Sequence, residues 1–219
     1  MNLPTERYLT QVTTWPSEGR HILAHYDADT IVVYQAYRPS IGEYATRHRE
    51  FGGDFSYSRM SWVKPNFLWM MYRSGWGTKE NQETTLGLRL RRQFFDGILA
   101  QAVASRLDQS DQASERIWKA SLATSNVRLQ WDPDHDPHGN ALARRAIQLG
   151  LRGPVLEAFG KRELLEVIDM TEFVAEQREL LSRVGIGELR TPVERVYVPD
   201  DGAIARRLKL DGMLAPPSA

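Results

Sequence analysis

The chain predicts an α+β fold: a single domain with a mixed, largely antiparallel sheet flanked by helices. Three observations carry this expectation. Segments rich in β-branched and aromatic residues recur along the 219 residues, at TIVVYQAY, TTLGLRL, NVRLQW, LLEVIDM and VERVYVP. Helical stretches separate them without a strict strand–helix–strand rhythm, which argues against a doubly wound sheet. No repeat or linker divides the chain, so residues 20–210 are expected to form one domain. An irregular arm at 1–19 and a flexible tail at 211–219 flank it.

The arm is polar and carries Pro4, Pro16 and Gly19. TIVVYQAY (30–37) has no breaker and predicts a buried interior strand. Ser40 can cap a helix over IGEYATRHREF that closes at Gly52 and Gly53. RMSWVK (59–64) predicts a strand stopped by Pro65. Asn66 can then cap FLWMMYRS, which lacks β-branched residues and ends at Gly75. In TTLGLRL (84–90), Leu86, Leu88 and Leu90 alternate as in a strand. RQFFDGILAQAVAS and QASERIWKASLATS follow as helices. NVRLQW (126–131) is a strand expected to end in the acidic loop DPDHDPHG, with RRAIQLG and PVLEAFG helical after it. LLEVIDM (164–170) predicts a second interior strand and TEFVAEQRELLS a helix capped by Thr171. VERVYVP (193–199) is the last strand.

Composition narrows the function classes. The 28 basic and 28 acidic side chains cancel, whereas a general nucleic-acid binder usually carries a basic excess. Any polyanion site must therefore be a local patch. The absence of Cys excludes a disulfide framework, a thiolate nucleophile and a Cys-ligated metal. MNLPTERYLTQ lacks the apolar stretch of a signal peptide, and FLWMMY is far shorter than a membrane span. The expectation is a soluble cytoplasmic protein with no membrane partner. The phosphate-loop pattern is missing, since GWGTK places its lysine after the threonine, and GIGELR does not match the dinucleotide fingerprint. No G-x-S-x-G elbow occurs.

DPDHDPHG (132–139) is the most metal-like stretch, with Asp132, Asp134, His135, Asp136 and His138. Pro137 occupies the position where a calcium loop turns on Gly, and Ala143 the position of its bidentate Glu. No bound metal is expected there; a metal-dependent phosphoesterase would rest on this loop alone.

WVKPNFLWMMYRSGWGTK (62–79) carries more. It gathers Trp62, Trp69 and Trp76 with the cations Lys64, Arg73 and Lys79. A strand ending at Lys64 before a helix start sets an ammonium beside free backbone N–H groups, which together suit a phosphate. Trp62 shares the face of Lys64 and offers a stacking surface, while Trp69, Met70 and Met71 are expected in the core. Arg73 sits in the last helical turn, where dipole compensation also explains it. A lysine at a strand end is expected to stay solvated. On the preceding strand Gln35 and Tyr37 share a face; Gln35 either satisfies a core network or points into a cleft.

Taken together, IVVYQAY, RMSWVKPNFLWMMYRSGW, WDPDHDP and RRAIQLGLRG resemble the bacterial and fungal family catalogued as DUF4291, over most of residues 20–180. That resemblance implies no activity. More distantly, the chain looks like the ADP-ribosyltransferase superfamily, in which a first strand contacts NAD, a second carries a Ser or aromatic residue, and a late strand supplies an acid. This likeness implies NAD as the nucleotide. It points to Asp132 and Tyr37 as catalytic candidates and to Gln35, Ser61 and Trp62 around the nucleotide, beside which the cations Lys64, Arg73 and Lys79 are the nucleotide-binding candidates of the stretch 62–79. Asp132 stands where that superfamily usually has Glu. The alternative is a non-catalytic module that holds RNA ends or nucleotides on the same aromatic and cationic surface.

Overall fold

The computed structural model describes residues 3–110 and 114–212. Strand β1 (Thr5–Arg7) leads into helix α1 (Tyr8–Val12), then β2 (Gly19–Arg20), β3 (Ile22–Tyr26) and β4 (Thr30–Tyr37). Helix α2 (Pro39–His48), β5 (Ser61–Val63), α3 (Phe67–Ser74), β6 (Thr84–Arg91) and α4 (Arg92–Gln101) follow. Then come β7 (Val103–Ala104), α5 (Glu115–Thr124), β8 (Val127–His135), β9 (Ala141–Leu151) and α6 (Gly153–Glu157). The chain closes with β10 (Leu164–Asp169), α7 (Thr171–Val184), β11 (Arg190–Pro192), β12 (Arg195–Tyr197) and α8 (Gly202–Leu208).

These strands build a single α+β domain with mixed sheets flanked by helices. One five-stranded sheet runs β10-β6-β4-β3-β12 and is antiparallel throughout. The other is centred on the antiparallel pair β8 and β9. Its partners β2 and β7 run parallel, while β5 joins the β2 edge of β9 antiparallel. β1 and β11 form a separate pair. Among the described residues one backbone bridge links the two large sheets, between Tyr34 of β4 and Lys64 just beyond β5.

The parity of β4 explains its continuous apolar run. Ile31 and Val33 enter a core shared with Leu86, Leu88 and Leu90 of β6, and with Leu129, Ile147 and Leu149 of the second sheet. Val32 and Tyr34, on the opposite face, pack with Phe67, Met70 and Met71 of α3 and Val174 of α7. A strand covered on both faces needs no polar alternation. LLEVIDM differs: it forms β10 at the sheet edge, not an interior strand, and Leu165 is exposed.

Three further segments depart from expectation. The strand at NVRLQW runs on through Asp132–His135, so the acidic stretch is largely strand, with a register shift between Pro133 and His135. RRAIQLG is not helical but lies within β9, whose Ile147, Leu149 and Leu151 reach the core on alternate positions. Residues 1–19 are no loose arm among the described positions: Leu3, Tyr8 and Trp15 are buried. Gln11 anchors this segment by donating to the Thr191 hydroxyl at 2.8 Å while its oxygen accepts from Glu194 N–H at 2.8 Å. Smaller differences concern helix ends. α2 starts at Pro39 and closes on left-handed Arg49, and Met170, not Thr171, holds the cap position of α7. The proposed tail lies beyond the described residues from 213 onward, while Leu210 is buried.

Trp15 tests the integration of the N-terminal segment. Its indole N–H donates to the Glu194 carbonyl at 2.9 Å. Trp15→Ala should cost about 3–5 kcal/mol in denaturant melts, as a buried aromatic deletion does. A loss below about 0.5 kcal/mol, the range of surface changes, would return the segment to the status of an arm.

Candidate functional site

At the far end of β4 the inter-sheet core gives way to a cleft. Ile31, Val33, Gln35 and Tyr37 share one strand face, so the apolar row ends in an amide and a phenol. Ser61 and Val63 of β5 likewise share a face; Val63 enters the core and Ser61 turns toward β4. Gln35 Nε2 donates to Ser61 Oγ at 2.8 Å, and the Tyr37 hydroxyl meets the same oxygen at 2.7 Å. Gln35 also donates to the Trp62 carbonyl at 3.2 Å, while its own Oε1 is buried without a partner. Burial pushes the Tyr37 hydroxyl well up, so it stays protonated.

Around this cluster lies a cleft of about 670 Å³, within the usual ~300–1,000 Å³ of small-molecule sites. Trp62, Lys64 and Met70 line one side, and Arg38, Asp54 and Arg59 line the rim. Arg38 pairs with Asp54 at 3.1 Å, and Ser40 Oγ donates to the same carboxylate at 2.8 Å. Gly150, opposite Trp62 on β9, leaves room for the indole; an added Cβ would lie 3.0 Å from Trp62 Cε2.

Lys64 is the unexpected member. It is 6% exposed rather than solvated. The Tyr34 bridge fixes it: Tyr34 N–H donates to Lys64 O at 2.6 Å, and Lys64 N–H returns to Tyr34 O at 3.1 Å. Its ammonium donates to the Trp62 carbonyl at 3.2 Å. Burial, aided by the charge of Arg73 and opposed by Asp132, brings its pKa down to about 7.

The helix start beside Lys64 is closed to anions. Asn66 Oδ1 accepts from Trp69 N–H at 2.6 Å, as the cap predicted from sequence. Phe67 N–H donates to Glu194 at 2.8 Å, so a buried carboxyl group already occupies the helix terminus. Burial pushes Glu194 up to about 8 despite that N–H.

The remaining candidates lie outside the cleft lining. Asp132 accepts from Gln130 at 2.9 Å and Gln148 at 2.8 Å, on the sheet face shared with Gly150. Arg73 is exposed in the last turn of α3, and Lys79 caps that helix by donating to the Arg73 carbonyl at 2.7 Å. The other carboxylates of DPDHDPHG are also engaged. Asp134 forms a buried pair with Arg144 at 2.7 Å, and Asp136 accepts from His138 N–H and from Asn140. His135 stacks against Tyr72 with centroids 3.5 Å apart. Sequence reasoning missed Arg38, Asp54 and Arg59. The available signal was a charge directly following β4 and another two residues before β5.

A family model described as a domain of unknown function, DUF4291, matches residues 21–197. The chain belongs to the DUF4291 family. The match spans β3 through β12 and so includes both walls of the cleft and the Tyr34–Lys64 bridge. No curated protein matches the chain.

Two outcomes follow from this geometry. Ser61→Ala leaves the Gln35 amide without its closest acceptor, and should cost about 1–3 kcal/mol in denaturant melts. Glu194 gives a pH signature. Its folded pKa near 8 lies above the ordinary 4.5, so its favourable contribution is complete below about pH 4.5 and lost as pH rises through 8. Glu194→Gln, which does not ionise, should therefore gain stability relative to the parent between pH 5 and 8, by at most about 1.4 kcal/mol per pH unit. Parallel melts at several pH values would show a constant difference if Glu194 titrated normally outside that window.

Proposed function

We propose that the cleft binds a nucleotide of the NAD type and that the protein transfers ADP-ribose to an acceptor. The observation that carries this reading is the Gln35–Ser61–Tyr37 cluster, where strands of two sheets meet and open into a cleft with arginines at its rim. In such a cleft Trp62 offers a flat surface for a base or nicotinamide ring. Arg38 and Arg59 offer charge-assisted contacts to a pyrophosphate. The unpartnered Gln35 oxygen is an acceptor suited to a carboxamide or ribose hydroxyl.

Breaking the nicotinamide–ribose bond develops positive charge on the sugar, which a facing carboxylate stabilises. Asp54 lines the cleft, whereas Asp132 is not among the lining residues and is held by two glutamines, although its charge reaches Lys64. Asp54 is the better candidate for that role. The Asp132 arrangement favours a second reading, in which the cleft holds a nucleotide or an RNA end without reacting with it.

NAD binding and nicotinamide release separate these readings. NAD should bind in calorimetric titration, Gln35→Ala should weaken it by about 1–3 kcal/mol, and Asp54→Asn should bind normally yet release no nicotinamide. Binding with no nicotinamide released by the parent protein would favour the non-catalytic module. The absence of any NAD binding would end the NAD reading.

A further inference from the structure

Within the cleft of the proposed nucleotide site, we infer that Lys64 is the seat of a phosphoryl or pyrophosphoryl group and that its amine takes up a proton as that group binds. A phosphoryl or pyrophosphoryl group entering the cleft would thus bring a proton onto the lysine amine. The geometry motivates this. Lys64 lines the cleft, is 6% exposed, and is held in place by two backbone hydrogen bonds to Tyr34. Its amine meets one protein acceptor, the Trp62 carbonyl, although an ammonium has three donors. No carboxylate forms an ion pair with it among the described residues: Asp132 is bound by Gln130 and Gln148, and Asp54 by Arg38 and Ser40. A buried ammonium without an anion is costly, and a phosphate supplies the anion.

Arg73 from α3 adds its charge to the effect of burial on Lys64, Arg38 and Arg59 stand at the rim, and Glu194 at the start of α3 is itself pushed up to about 8 by burial. Tyr37 is pushed well up by burial and stays neutral. Asp132 from β8 opposes the downward shift of Lys64 but does not overcome burial and Arg73. The resulting value near 7 places the neutral amine within the ordinary working range. A ligand that requires the protonated form then binds with constant affinity below about pH 7 and roughly tenfold more weakly for each pH unit above it.

The test is calorimetric titration of the full chain with ADP-ribose and, separately, with inorganic pyrophosphate, from pH 6 to 9 in buffers of different ionisation enthalpy. Near pH 8.5 the parent should take up close to one proton per bound anion, falling toward zero at pH 6 after subtraction of the ligand's own titration. Lys64→Met, verified as folded by its melt, should lose both the uptake and the tenfold-per-unit slope. The pH profile of the parent decides the matter even if that variant does not fold. Uptake with pyrophosphate alone would support the seat while ending the nucleotide reading. Binding of ADP-ribose without proton uptake, uptake retained in Lys64→Met, or no binding of either anion would overturn the inference.

Discussion

Two backbone hydrogen bonds between Tyr34 and Lys64 join the sheets, and the cleft depends on where they fall. Before that point β4 is buried on both faces; after it, Gln35 and Tyr37 reach the cleft. On the other strand, Ser61 and Trp62 stand three and two residues before the same bridge. The contact therefore sets the spacing of four cleft residues at once. It also brings a lysine into a position that its sequence neighbours would not have required. Substitutions in side chains cannot easily replace this constraint, because it is made by main-chain atoms whose partners are fixed by register.

Helix α3 supports the bridge from the second core. Its buried face presents Phe67 and Met71 to Tyr34 and Val32, while Met70 also reaches the cleft. The N-terminus of the helix is held by Asn66 and by Glu194, which comes from the segment between β11 and β12. Gly75, with φ 59°, closes the other end in the left-handed region that costs glycine little. The helix start is thus occupied by a carboxyl group of the chain itself, which burial keeps largely protonated at neutral pH. A ligand phosphate must look to Lys64 and the rim arginines instead.

Much of this was legible where local chemistry and tertiary packing agree. β4, β6 and α3 were readable from alternation, breakers, an Asn cap and a Gly stop. The face shared by Gln35 and Tyr37 followed from strand parity. β9 was not legible, because Arg144, Arg145, Ala146, Gln148 and Leu149 favour helix locally, and pairing with β8 overrides them. Gly150 further disguises the alternation of Ile147, Leu149 and Leu151, although a Cβ there would press on the side chains of Met60 and Trp62. The N-terminal segment has no periodicity to read; its burial depends on β11, far along the chain. The burial of Lys64 arises from the sheet junction, which no local pattern encodes, so the sequence alone predicts a solvated lysine.

The pairing of β1 with β11 has a kinetic consequence. Thr5 lies opposite Pro192, so the first strand can find its partner only after nearly all of the described chain has left the ribosome. Until then the cluster around Tyr8 and Trp15 lacks Leu189, Trp15 lacks its Glu194 acceptor, and α3 lacks the Glu194 side chain at its start. Loop closure over such a separation makes a chain slow to complete its fold and leaves sticky intermediates along the way. The start of α3, beside the cleft, accordingly waits for Glu194 from the far end of the described chain.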